Sequence, residues 1–197
     1  RALELNTTSE FNTANGAYVL SSNTSGNYNT ANGSFALSSN TTGDYNTANG
    51  FRALESNTTS DNTAIGSSAL RSNTTGTPNT AIGFESQYRN TIGNNNNSLG
   101  SLTLYFNQTG NQNTAMGSEA LYRTTTSNNT GIGYRAMNLA TTCFRNTALG
   151  SNSGLNITTG NYNTALGANA YSIGNFNNST AIGDASAISA DNQIRLG

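Results

Sequence analysis

Three tyrosines, Tyr88, Tyr105 and Tyr122, recur at one fixed interval. Exposed and stacked, evenly spaced aromatic rings make a platform on which a sugar can lie; alternatively they stack on one another and only stabilise the backbone that carries them. Asn15, Asn32 and Asn49 repeat at the same interval, in a position that is Ile65, Ile82, Leu99 and Met116 further along. Polar groups there cost stability unless paired. Gathered about an axis by several copies of the chain, they could hold an anion or water and set the register; near a frayed end they would only face solvent. Sequons N-x-S/T fall at Asn6, Asn23, Asn40, Asn57 and Asn73, again almost evenly spaced. They are candidate N-glycan sites along one edge, unless Asn-Thr-Thr is simply turn chemistry.

Catalytic chemistry finds little to work with. There is no histidine, which rules out a Ser-His-Asp arrangement, and the single cysteine, Cys143, makes neither an intrachain disulfide nor a zinc cluster. It reads as a buried or incidental thiol. The acidic residues are scattered, and a carboxylate pair would have to arise from stacking, for example Glu85 with Glu119, two repeats apart. No lysine is present to complete a phosphate-binding loop. We therefore assign no catalytic residue, no metal ligand and no cofactor, and expect a protein that is not an enzyme. With 8 basic and 9 acidic residues and a net charge of -1, no patch suited to nucleic acid or an anionic membrane is expected. No apolar run spans a bilayer.

Regular spacing requires regular elements. The glycine of N-T-A-x-G recurs from Gly16 through Gly33, Gly50 and Gly66 to Gly183 in steps of 16 or 17, with a last step of 14 to Gly197. One unit repeated over the whole chain implies one array, 1–197, in which 1–15 are a partial first coil and 16–197 the repeats. Each unit reads roughly G-x-x-A-L-x-x-N-T-T-G-x-x-N-T-A-x. Turn-forming Asn, Thr, Ser and Gly interrupt it too often for helices. The expected fold is all-β: a parallel β-solenoid of eleven coils, one per repeat, each coil made of two short strands (T-A-x and A-L) and two turns.

Leu, Ile, Val and Phe make up roughly 16% of the chain, below the roughly 20% that usually marks an ordered core. Ladders of identical side chains, the Asn and the Thr of N-T-A stacked coil on coil, are expected to supply the missing order. Alternation along T-A-x sends Ala to one face and Ile or Leu to the other. A sheet apolar on both faces must be covered twice, so we expect an obligate oligomer.

The N-T-A-x-G units, with small residues alternating with Ile or Leu before glycine, resemble the head repeats of trimeric autotransporter adhesins, the YadA-like left-handed parallel β-roll, and related repeats of phage and virus tail fibres. The similarity covers essentially the whole chain, although the usual head unit is shorter than most of the repeats here and matches only the last step, from Gly183 to Gly197. It implies a parallel homotrimer forming a rigid extracellular fibre or head, on a cell surface or virion, that attaches to a glycan or protein receptor. The closing D-N-Q-I-R-L-G, Asp191 to Gly197, resembles the junction at which tail-fibre-like proteins enter a C-terminal chaperone domain. Two other readings stand beside attachment: ice binding through a flat Asn-Thr array, and a polysaccharide-cutting enzyme of the tailspike kind, which lacks its carboxylate cluster.

Overall fold

A computed structural model describes residues 1–171 and 174–197. Among them are twelve strands of three residues each, from β1 (Thr13–Asn15) to β12 (Ile194–Leu196), in one parallel sheet ordered strictly as in the chain. Each strand pairs with the strand one repeat later, repeat position against repeat position: Thr13 with Thr30, Ala14 with Ala31, Asn15 with Asn32. The chain is a parallel β-solenoid, eleven intervals at about 4.8 Å giving a rod of roughly 50 Å.

The Ala-Leu segment is not the second strand that the repeat suggests. Ala36 and Leu37 are both fully buried, as are Ala53 with Leu54, Ala69 with Leu70 and Ala120 with Leu121. Neighbours in a strand point to opposite faces, so two adjacent inward side chains need another backbone. The chain supplies it with consecutive tight turns: Ala36 N–H donates to the Gly33 carbonyl and Ser38 N–H to that of Phe35. The third residue of each turn is left-handed, with φ of 63° at Phe35 and 50° at Leu37, as a type II turn requires. The core is thus filled from two sides, by strand alanines and by turn leucines.

Between these lies a polar interior. The main-chain N–H of each motif asparagine donates to Oδ1 of the equivalent asparagine one coil earlier: Asn29 to Asn12 (2.9 Å), Asn96 to Asn79 (3.0 Å), Asn163 to Asn146 (2.8 Å). Its carboxamide nitrogen donates to a carbonyl of the next coil's turn, Asn96 Nδ2 to Gly110 O at 2.8 Å being one example. A second ladder runs beside the first, with Asn40 Nδ2 on Asn23 Oδ1 (2.9 Å), Asn73 on Asn57 (2.7 Å) and Asn90 on Asn73 (3.0 Å). A third, nearer the surface, uses Asn, Asp or Ser side chains as acceptors for the N–H of the coil before, such as Asn27 N–H on Asp44 Oδ1 at 2.6 Å. The strand threonines expected to form a ladder instead face outward, half-buried or exposed.

Close stacking dictates one glycine column. At Gly66, φ is 135° and a Cβ would lie 2.4 Å from the Gly83 carbonyl oxygen, a contact with backbone that no rotamer relieves.

Removing one ladder side chain leaves the main-chain N–H stacked on it buried and unpaired, at about 1–3 kcal/mol. Asn96→Ala orphans the Asn113 N–H, while the Gly110 carbonyl keeps Asn107 Nδ2 as a donor, and is expected to lower unfolding free energy by about 1–3 kcal/mol. Asn97→Ala, at the exposed neighbouring position, should stay within about 0.5 kcal/mol. Denaturant titration of both variants measures the difference; equal effects would contradict the ladder's role.

Candidate recognition surface

The tyrosines Tyr88, Tyr105 and Tyr122 follow, in successive coils, the buried position just described, filled by Gln87, Leu104 and Leu121, which turns them outward on one column. They come together as the spacing suggests: Tyr88 and Tyr105 have ring centroids 5.2 Å apart and planes 4° from parallel, and Tyr105 and Tyr122 are 5.3 Å apart at 24°. Phe106 meets Tyr105 and Tyr122 edge-on at 4.9 and 5.2 Å. The rings are half-buried and turn their faces to one another. A sugar would therefore meet mainly edges and hydroxyls.

The column continues through charged residues that the spacing of tyrosines does not reveal. Arg71, one coil before Tyr88, donates from Nη1 to the Tyr88 hydroxyl (2.6 Å) and from Nε to Glu55 Oε2 (2.7 Å). The bond to Glu55 is the main reason the Arg71 guanidinium holds its proton more firmly than usual. Arg89 lies with Cζ 5.7 Å from the Tyr105 centroid and 4.8 Å from that of Phe106, a cation–π arrangement. Glu55, Arg71, Tyr88, Tyr105 and Tyr122 form one interacting stripe across five coils.

Asn15, Asn32 and Asn49 share a register on the outer face of the sheet. Asn15 and Asn49 are exposed and Asn32 half-buried. From Ile65 onward the same column is apolar and runs through Leu99, Met116 and Leu149, the last 48% exposed, to Ile182.

The sequons require a correction. Asn23, Asn40, Asn57 and Asn73 are completely buried, and the carboxamide nitrogen that would carry a glycan donates inward, Asn23 to the Gly26 carbonyl at 2.9 Å and Asn57 to that of Thr59 at 2.7 Å. Their periodicity belongs to the second ladder, and a glycan on any of them is incompatible with the coil. Asn6, in the partial first coil, is exposed.

The same interior location removes the Asn-Thr array from the surface. Asn29, Asn46 and their equivalents are buried, so the outer face pairs a threonine column with Ile, Leu or Met. Glu119, the partner imagined for Glu85, is engaged by Arg135 at 3.2 Å and by Asn138. Among the described residues, no three His, Cys, Asp or Glu side chains cluster as a metal site would need. Cys143 is buried, and burial pushes its thiol up to about 11. Burial likewise pushes the Tyr171 hydroxyl, which donates to the Phe176 carbonyl at 2.9 Å, up to about 12.

Two more aromatic columns escape a search confined to one spacing register. Phe11, Tyr28 and Tyr45 each precede a motif asparagine and stack at 5.0 Å, the last pair only 1° from parallel. Tyr18 and Phe35, each two residues past a stacking glycine, stack at 5.1 Å. The interval that separates Tyr88 from Tyr105 marks both sets.

Set against protein-family models, curated proteins and solved structures, the chain matches none.

An aromatic pair contributes about 0.5–1.5 kcal/mol beyond area burial, and Tyr105 stacks on two tyrosines. Tyr105→Ala is therefore expected to reduce unfolding free energy by about 1–3 kcal/mol in a denaturant titration, with Tyr134→Ala, outside the stripe, nearer neutral. An unchanged stability for Tyr105→Ala would leave the stripe free for binding alone.

Proposed function

We propose that this chain is a stiff segment of an extracellular attachment fibre, assembled from copies of itself in parallel, as a left-handed roll and a homotrimer, and carrying out no catalysis. One observation supports the reading above the others. The inner face of the sheet is filled by the Ala column, yet its outer face carries a continuous row of large apolar side chains from Ile65 to Ile182. A ridge this regular, one residue per coil, gains most by meeting an equally regular surface, and another copy of the chain is the one surface certain to have the same period. Each rung of such an interface removes an Ile, Leu or Met from water, worth about 1.5–3 kcal/mol when burial is complete. The physical output is a straight, rigid rod whose remaining faces present aromatic, arginine and hydroxyl groups to a cell-surface glycan or protein.

Ile65→Asp combined with Ile82→Asp places two unpaired carboxylates in that interface, a severe penalty if they are buried against a second copy. In the separate chain Ile65 is exposed and Ile82 half-buried, so folding itself should survive. Multi-angle light scattering is expected to give a trimer for the unmutated protein and a folded monomer for the double variant. A monomeric unmutated protein would overturn the assembly.

A further inference from the structure

Not all coils are of equal length, and one short coil lies beside an open hollow in the wall of the rod. Gly117 to Gly133 is a step of 16, where the coils on either side step by 17. The shortening falls in the turn: Asn107 to Asn113 spans six steps, but Thr124 to Asn129 only five. Ser127 then serves the third ladder, its hydroxyl accepting the Asn111 N–H at 2.9 Å. Beside the shortened turn lies an open hollow of about 520 Å³, lined by Thr109, Thr125, Ser127, Phe144, Arg145 and Tyr162 among others. A second hollow of about 390 Å³, lined by Phe106, Gln108, Arg123 and Thr125, adjoins it through Thr125.

These hollows bring arginine and aromatic rings together. Arg145 donates from Nη1 to the Tyr162 hydroxyl at 3.3 Å and lies with Cζ 5.6 Å from the Tyr162 centroid, while Phe144 stands edge-on to Tyr162 at 5.3 Å. Neither Arg145 nor Arg123 has a carboxylate partner among the described residues, as Arg89 and Arg195 also do not, whereas Arg1, Arg52, Arg71 and Arg135 all do. No Asp or Glu occurs anywhere between Glu119 and Asp184. A chain of net charge -1 thus keeps one stretch whose only charges are positive. The earlier short coil, Gly50 to Gly66, is an internal comparison. Its turn carries Asp61, and the positions matching Arg145 and Tyr162 are Pro78 and Asn95. Shortening alone does not bring arginine and aromatic rings together.

We propose that the two hollows form one binding groove for an acidic oligosaccharide, a chain of sugars bearing carboxylates. A guanidinium without an acidic partner offers two parallel N–H groups to a carboxylate. Phe106, Phe144 and Tyr162 offer surface for the apolar C–H face of a pyranose ring. The Thr and Ser hydroxyls and turn carbonyls match sugar hydroxyls, and a shallow polar-and-aromatic cleft is the usual form of a site that holds a ligand by a few placed groups. The inference rests on the attachment reading and deepens it by naming the ligand class.

Calorimetric titration with tetragalacturonate and with sialyllactose tests it, each beside its carboxyl methyl ester. At least one acidic probe is expected to bind, its ester about tenfold or more weakly, and Arg145→Gln and Tyr162→Asn each to weaken binding about tenfold or more. Asparagine tolerates the left-handed backbone at 162 (φ 59°). Arg52→Gln, far along the rod, should change nothing, and Arg145→Lys should retain only part of the affinity because it keeps the charge and loses the fork. Unaltered affinity in Arg145→Gln, equal binding of acid and ester, or binding of neither acid would each overturn the groove. Cell attachment that persists at full strength in Arg145→Gln leaves the attachment reading standing without this site. Failure of the unmutated protein to attach to any cell or glycan ends the attachment reading itself.

Discussion

The structure depends on a hydrogen bond that crosses from one coil to the next: the side-chain oxygen of one asparagine accepts the main-chain N–H of the asparagine stacked on it. From Asn12 to Asn163, with Ser179 as the last donor, the bond is repeated at 2.8–3.2 Å in every coil. A solenoid coil of this size has an interior too narrow for a conventional core, and its turns leave backbone groups far from any strand partner. Each asparagine meets both difficulties, filling interior volume and satisfying a buried N–H and a turn carbonyl at once. Three coils are one residue short, and each keeps an acceptor for the N–H of the coil before: the hydroxyl of Ser60, the hydroxyl of Ser127 and the carboxamide of Asn177.

With the inside settled by polar pairing, the leucine of each unit becomes a space filler reached by left-handed backbone rather than by a strand. Non-glycine residues at positive φ are ordinarily unfavourable, and here they recur in every coil, at Leu37, Leu54, Leu70 and Leu121 among others. Burial of the leucine and the closing turn hydrogen bonds offset that strain. The outer sheet face is left free of structural duty, which is why it can carry an apolar ridge for assembly while the turns vary in sequence.

The period, the single array and the inward Ala column are legible in the residues, because stacking like on like writes itself as recurrence. The turn backbone is not legible. A-L reads equally well as a short strand, and only the simultaneous burial of both residues, a three-dimensional fact, excludes it. The sequons mislead for a related reason. Asn-Thr-Thr is a fair turn signature, and nothing local distinguishes an asparagine that points out from one that points in. What could have told them apart is their number: a surface turn tolerates drift, whereas Asn23, Asn40, Asn57, Asn73, Asn90 and Asn107 hold one residue type over six coils. The tyrosine stripe is half legible, since spacing reveals the rings but not the arginines interleaved with them. The hollow beside Arg145 joins residues of successive coils, from Thr109 to Tyr162, a grouping that shows only once the coils are stacked.

The central claim is that the asparagine ladders, more than the thin apolar core, hold the coil together, and native-state hydrogen exchange addresses it residue by residue. The account predicts that the main-chain N–H groups of Asn46, Asn79, Asn96, Asn113 and Asn146 exchange only through global unfolding, among the slowest in the molecule and as slow as the strand amides beside them. Exchange of these amides by local opening, well below the free energy of global unfolding, would contradict it.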